Sequence, residues 1–294
     1  YMYKRKITIS EMNTVLLCIG MPVVTSVVHL LFKCPIIDLP ILATESNFIL
    51  SGGYAPNQIA TILGLGMFVF ATRIFLVPSS RKVLLLNVII FAYIYYRSLL
   101  TFSRGGTVTG IIIILILFCS LLIHKNYYEN LKAKIGLFLL LLIAVFYLTS
   151  IHSKDQLWYR YTDKNPNGAQ KSEDKNGRQA IAIREVDLFE KNPLFGVGVG
   201  EGKQIRKTES GKIINSHSEI TRMLAEHGIL GMLSLLILMI TPVIHFLKNK
   251  QNIFIICFFV FWLLTINHSA MRVAAPAFIY ALGLMNLKNE EDLV

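Results

Sequence analysis

The chain has 294 residues, of which 54% are hydrophobic and 16% charged, against about 25% charged in soluble domains. Its apolar residues fall in runs close to the ~20 needed to cross a bilayer, which excludes a soluble enzyme built around one core. The formal net charge of +11 does not argue for nucleic acid, because the cations stand mostly between apolar runs, where they act as topology signals.

The sequence opens on Tyr1 and a basic stretch of Lys4, Arg5 and Lys6 that reads as a loop in mid-protein, so further spans are expected to precede it. Eight apolar spans follow, at about 14–32, 56–77, 83–100, 107–124, 134–150, 228–247, 252–266 and 272–287. The fold class is therefore an all-α polytopic membrane protein with one large, partly helical loop. It divides into five spans over 1–150, the loop over 151–227, and three spans with a cytoplasmic tail over 228–294. With Tyr1 cytoplasmic, that side carries Lys4, Arg5, Lys6, Arg81, Lys82, Lys125, Lys132, Lys134, Lys248, Lys250 and Lys288. The short segments opposite carry Lys33, Arg104 and Arg272. This asymmetry follows the positive-inside rule and puts the loop outside, and Tyr93, Tyr95 and Tyr96 are expected in an outer aromatic belt. Cys18, Cys34, Cys119 and Cys257 lie in or beside apolar runs without metal-ligand spacing and read as apolar fillers; neither a metal site nor a cofactor is expected.

Within the loop, residues 163–177 are rich in Asn, Lys, Asp and Gly and read as mobile. A helix is expected over 178–190, with Ala182, Val186 and Phe189 on its buried face and Asn192 and Pro193 as its stop. Gly196, Gly198, Gly200 and Gly202 then alternate with Val197, Val199 and Glu201, giving a flexible, close-packing stretch. Ser216, with Glu219 three residues on, has the spacing of a capping box opening a second helix that runs into the sixth span.

Several polar features gather at the outer face. Ser103, Arg104, Gly105 and Gly106 read as a tight turn, with Arg104 presenting a permanently charged, bidentate fork; the simpler reading is an arginine reaching for lipid headgroups. Arg178 opens a helix, where a cation is unfavourable unless an anion is shared, and the alternative is a pair with Asp174. His217, between Ser216 and Ser218 and near Asn215, stands at a helix start that favours neutral imidazole able to accept a proton; otherwise it is a surface histidine. Glu226, nine residues on, points to the other side of a straight helix and pairs more naturally with Arg222. His268 and Arg272 flank the turn before the last span and, with Asn267, either join this pocket or anchor the interface. The stretch from Gly196 to Lys203 falls short of a phosphate loop, having Val197 and Gln204 where glycine and a hydroxyl are needed.

Taken in order, these pieces form a pattern. Pro56, Asn57, Gln58, Ile59 and Ala60 open a span, and Ser103, Arg104, Gly105 and Gly106 lie between two. Gly177 and Arg178 precede Asn192, Pro193, Leu194, Phe195, Gly196, Val197 and Gly198. Asn215, Ser216, His217 and Ser218 precede Leu224, Ala225, Glu226, His227, Gly228, Ile229, Leu230 and Gly231. The set resembles the O-antigen ligase and polymerase family of bacterial membrane glycosyltransferases, over about residues 56–285. The resemblance implies transfer of a glycan from an undecaprenyl pyrophosphate carrier to an acceptor hydroxyl, without metal, on the periplasmic face of the inner membrane. It implies pyrophosphate binding by Arg104 and Arg178 and activation of the acceptor by His217; Ser103, Asn215, Glu226, His268 and Arg272 are candidates for supporting roles on their placement alone. The expected partners are the lipid-linked donor, a lipid A core sugar or growing glycan as acceptor, and membrane lipids; no nucleic acid is among them. The family's polymerases are the alternative to a ligase. Outside the family, the competing reading is a transporter of an anionic solute, disfavoured because the span interiors carry almost no charge, Arg73 lying near an end where it can reach the interface.

Overall fold

Long apolar runs with their polar backbone satisfied internally form helices in a bilayer, and the chain follows that rule. The computed structural model describes residues 2–34, 46–123, 131–164, 177–211, 215–268 and 273–288, which hold eleven helices and one two-stranded sheet. The helices α1 (Ile9–Lys33), α2 (Pro56–Leu76), α3 (Arg81–Leu100), α4 (Arg104–Ile123) and α5 (Leu131–His152) match the first five expected spans. The polar segment contributes α6 (Gln156–Tyr161), α7 (Arg178–Lys191) and α8 (Glu201–Ser210). Then come α9 (Glu219–Lys248), α10 (Phe254–His268) and α11 (Ala275–Gly283).

Six helices, α1 to α5 and α9, are long and apolar enough to cross a membrane. The seventh and eighth expected spans are shorter. The 15 residues of α10 reach about 22 Å and the 9 of α11 about 14 Å, against a hydrocarbon core of ~30 Å. Pro276 sits in the first turn of α11, which ends at Gly283; residues 269–272 lie outside the described residues.

At the centre is α2, buried on almost every side and so apolar all round. It meets α4 at a crossing made of glycines. A Cβ at Gly106 would run into the Ala60 and Thr61 backbone, and one at Gly64 into the Gly106 carbonyl. Gly110 lies against Gly64 one turn further along. Small residues four apart let helix backbones touch where no side chain intervenes.

The two ends of the bundle differ. At one, β1 (Lys6–Thr8) pairs in parallel with β2 (Asn286–Lys288). Thr8 caps α1 in a reciprocal box with Glu11, and Asn252 Nδ2 donates to the Met285 carbonyl at 3.0 Å. Lys4, Arg5, Lys6, Lys248, Lys250 and Lys288 therefore gather there, as the charge pattern predicted. At the other end, Asn47 N–H donates to Thr101 O at 2.9 Å, and Arg160 Nε to Phe102 O at 2.9 Å.

Helix α3 departs from expectation at two residues. Tyr95 is 3% exposed and faces the core, so it is no part of an aromatic belt; successive residues on a helix turn by 100°, which sends Tyr95 away from its neighbours. Arg97 breaks the rule of charge-free spans. It is fully buried, and its guanidinium donates to the carbonyls of Leu30 at 3.2 Å, Cys34 at 3.4 Å and Leu50 at 3.4 Å. The first two carbonyls close α1, whose C-terminal dipole end favours a cation.

Candidate active site

Arg104 is the first residue of α4, and the expected tight turn lies just before it, over Thr101, Phe102 and Ser103. Phe102 takes the left-handed conformation at φ 54°. Ser103 is buried and donates from Oγ to Asn57 Oδ1 at 2.8 Å, so it fixes the turn to the start of α2. Gly105 and Gly106 do not make the turn; they lie inside the helix, where their missing side chains admit neighbours. A Cβ at Gly105 would stand 2.5 Å from the His268 ring. That ring contacts the Leu264 carbonyl through Nδ1 at 2.8 Å and Thr61 Oγ1 through Nε2 at 3.2 Å. The carbonyl fixes the proton on Nδ1 in neutral imidazole.

Arg178 is the first residue of α7, after Gly177, which offers no side chain to cap the helix. Although Arg178 is exposed by area, packing around its head lowers its pKa, and the like charge of Arg104 lowers it further. The charge of Arg178 also reaches His268. Arg104, Arg178 and His268 thus converge from α4, α7 and α10. Arg104 meets one carboxylate, Asp163, at 2.8 Å. Among the described residues no carboxylate pairs with Arg178; Asp174, its expected partner, lies outside them. Nearby, burial pushes the Tyr161 phenol up to about 12, opposed by a hydrogen bond to Thr107 and by the charges of Arg104 and Arg160. Two guanidinium groups at two helix N-termini form a place where an anion with several oxygens would be held by charge, fork and dipole together.

His217 is half-buried in the segment just before α9. The capping box expected at Ser216 is absent: Ser218 is the N-cap of α9, without a side-chain bond to the backbone. The Ser216 hydroxyl instead lies 3.0 Å from Glu185 Oε2, with the Ser218 carbonyl at 2.9 Å. Glu185 is on α7, seven residues after Arg178. Seven residues are nearly two full turns, so both lie on one face about 10 Å apart. That face also contains Ile181; Ile181 and Glu185 are the buried residues of α7, whereas Val186 is exposed. The expected inward face was thus displaced by one position.

Glu226 lies close by, its carboxylate and the Arg206 guanidinium both facing Gly202. It is 3% exposed and pairs with Arg222 at 3.5 Å, the partner expected from helix spacing. Beside it passes the start of the glycine stretch, which is clamped rather than flexible as far as Gly198. Val197 N–H donates to Ala225 O at 2.9 Å, Gly198 N–H to Glu226 O at 3.2 Å, and Ile229 N–H to Pro193 O at 2.8 Å. Gly196 at φ 69° packs on the Glu226 backbone, and Gly228 at φ 61° kinks α9 against the carbonyls of Pro193 and Leu194. Asn215 is exposed, and Arg272 lies outside the described residues.

A family model described as O-antigen ligase matches residues 88–236, just over half the chain. The chain belongs to the O-antigen ligase family. The matched region runs from within α3 to within α9 and contains Arg104, Arg178, His217 and Glu226. No curated protein matches the chain significantly. Membership makes it an enzyme of the ligase and polymerase kind, whose partners are in general terms a lipid-linked glycan and an acceptor. For this O-antigen ligase family member, sequence reasoning missed three residues of the site: Asp163 on Arg104, and Glu185 with Arg206, paired at 2.8 Å and exposed by 1% and 5%. Asp163 sits in polar loop sequence without periodicity. Glu185 and Arg206 are 21 residues apart on separate helices, beyond any local pattern.

Proposed function

We propose that this protein moves a glycan from undecaprenyl pyrophosphate to an acceptor hydroxyl, a lipid A core sugar, at the periplasmic face of the bacterial inner membrane. The observation that carries the reading is the convergence of Arg104 and Arg178, two permanent cations of which only Arg104 meets a carboxylate among the described residues. A pyrophosphate leaving group gains negative charge as the sugar–oxygen bond breaks. Cations fixed beforehand at that place stabilise the transition state more than the ground state. In the step, the acceptor oxygen attacks the anomeric carbon, the bond to the pyrophosphate oxygen breaks with its electron pair, and the acceptor proton passes to His217. Two guanidinium groups thereby supply the charge that a metal ion provides in other transferases, and no cofactor takes part.

The test is release of undecaprenyl pyrophosphate from a lipid-linked oligosaccharide by the purified protein in detergent, with acceptor present. Wild-type release, lost in His217→Ala while the variant remains folded, supports the reading. Full activity in His217→Ala overturns the role of the base. No release by wild type across lipid A core and glycan acceptors overturns transfer itself. Detergent abolishes the two compartments, so a transporter would release nothing. The acceptor that works separates ligase from polymerase.

A further inference from the structure

A carboxylate taken out of water is costly unless donors surround it. Glu185, 1% exposed, is surrounded from three directions. Arg206 of α8 donates to Oε1 at 2.8 Å. Oε2 receives Thr221 Oγ1 of α9 at 2.7 Å and faces Ser216 Oγ at 3.0 Å. Ser216 and Thr221 lie on either side of His217, so one carboxylate oxygen grips the chain before and after the histidine. The residues between Gly211 and Glu219 have no regular structure of their own among those described, so an anchor outside the segment sets its course. That anchor stands two turns from Arg178 on one helix face.

We infer that Glu185 is the positioning residue for His217, fixing its distance from Arg178 through Ser216 and Thr221. Glu185 touches no substrate; it transmits the rigidity of α7 to a segment that lacks rigidity. The inference rests on the proposed role of His217 as proton acceptor. Its geometric content does not: it states that residues 215–221 are ordered by this carboxylate.

Two readouts separate the claims. The first is hydrogen exchange of the backbone over 215–221 in the whole protein in detergent, which needs no activity. Glu185→Gln and Ser216→Ala are expected to speed exchange there about tenfold, a local loss of order, and to leave the start of α4 unchanged. The second is steady-state release of undecaprenyl pyrophosphate. Both variants are expected to lower kcat on the order of tenfold, part of the 10²–10⁴-fold that a proton acceptor contributes, with the donor KM within about twofold. Ser216→Thr, which keeps the hydroxyl, is expected to restore most of kcat. The double variant is expected to be no slower than Glu185→Gln alone, because both act through one contact. If Glu185→Gln does not fold, Ser216→Ala and Ser216→Thr decide, since they leave the Glu185–Arg206 pair intact. Unchanged exchange over 215–221, or kcat unaffected in an active protein, overturns the inference. If wild type is inactive, the transfer reading fails and the exchange result alone decides the inference.

Discussion

Arg178 stands near Arg104: burial of its head makes Arg178 easier to deprotonate, and the positive charge of Arg104 adds to that. Like charges are kept together at a cost, and both arginines open a helix whose dipole adds to it. On the proposed function, an anion shared by the two removes that cost.

Arg104→Ala and Arg178→Ala are each expected to lower kcat about 10²–10³-fold, the usual loss for one preorganised donor to a developing negative charge. Lysine at either place should recover little, because a point charge does not reproduce a bidentate fork. Steady-state release of undecaprenyl pyrophosphate is the measurement; a lysine variant near wild type would show that charge alone suffices.

Asp163 occupies the Arg104 guanidinium at 2.8 Å while 63% of its side chain remains exposed. A pyrophosphate must compete with it. Exposed pairs contribute about 0.2–1 kcal/mol, so Asp163→Asn is expected to lower the donor KM about 1.5–5-fold. A raised KM would mean that Asp163 helps to hold the donor instead.

Gly228 has φ 61° and ψ −140°, a region open essentially to glycine alone, and a Cβ there would meet the Pro193 and Leu194 carbonyls at 2.6 Å. Gly228→Ala is expected to cost about 1–3 kcal/mol and to free residues 193–198 from α9. Limited proteolysis and thermal melting check this; an unchanged cleavage pattern with an unchanged melting point would count against the clamp.

Gly106→Val forces α2 and α4 apart at their closest approach and so moves Arg104, two residues away. Overpacking of this kind costs about 1–3 kcal/mol. The variant is expected to melt at lower temperature and to lose activity with Arg104 still present. Retained activity would show that the α2–α4 crossing does not set the arginine.

The spans and the sorting of basic residues to one end were legible, because hydropathy and charge act locally and in sequence order. The shortness of α10 was legible as well, but that of α11 was not, since an apolar run does not reveal where Pro276 and Gly283 cut it. Arg104, Arg178 and His217 stood out by residue type and spacing. What the pattern hid was burial of charge. Reading the inward face of α7 as Ala182, Val186 and Phe189 assumed that a glutamate stays outside. Glu185 is inside because Arg206, Ser216 and Thr221, 21 to 36 residues away, supply its partners. Ser216 looked like a cap for the same reason: its spacing to Glu219 is correct, but a distant carboxylate took the hydroxyl. The glycines after Phe195 read as a flexible stretch, yet Gly196, at φ 69°, is packed on the Glu226 backbone, and only Gly200, with open space around it, keeps room.

Arg97 carries its charge in the bundle interior, cradled by the carbonyls of Leu30, Cys34 and Leu50. All three acceptors precede it in the chain. All three partners are thus synthesised before α3, so its one buried charge meets acceptors that the chain has already made. The turn that supplies Leu50 is itself held by the Thr101 carbonyl just past α3, so the third span and its cradle fix each other.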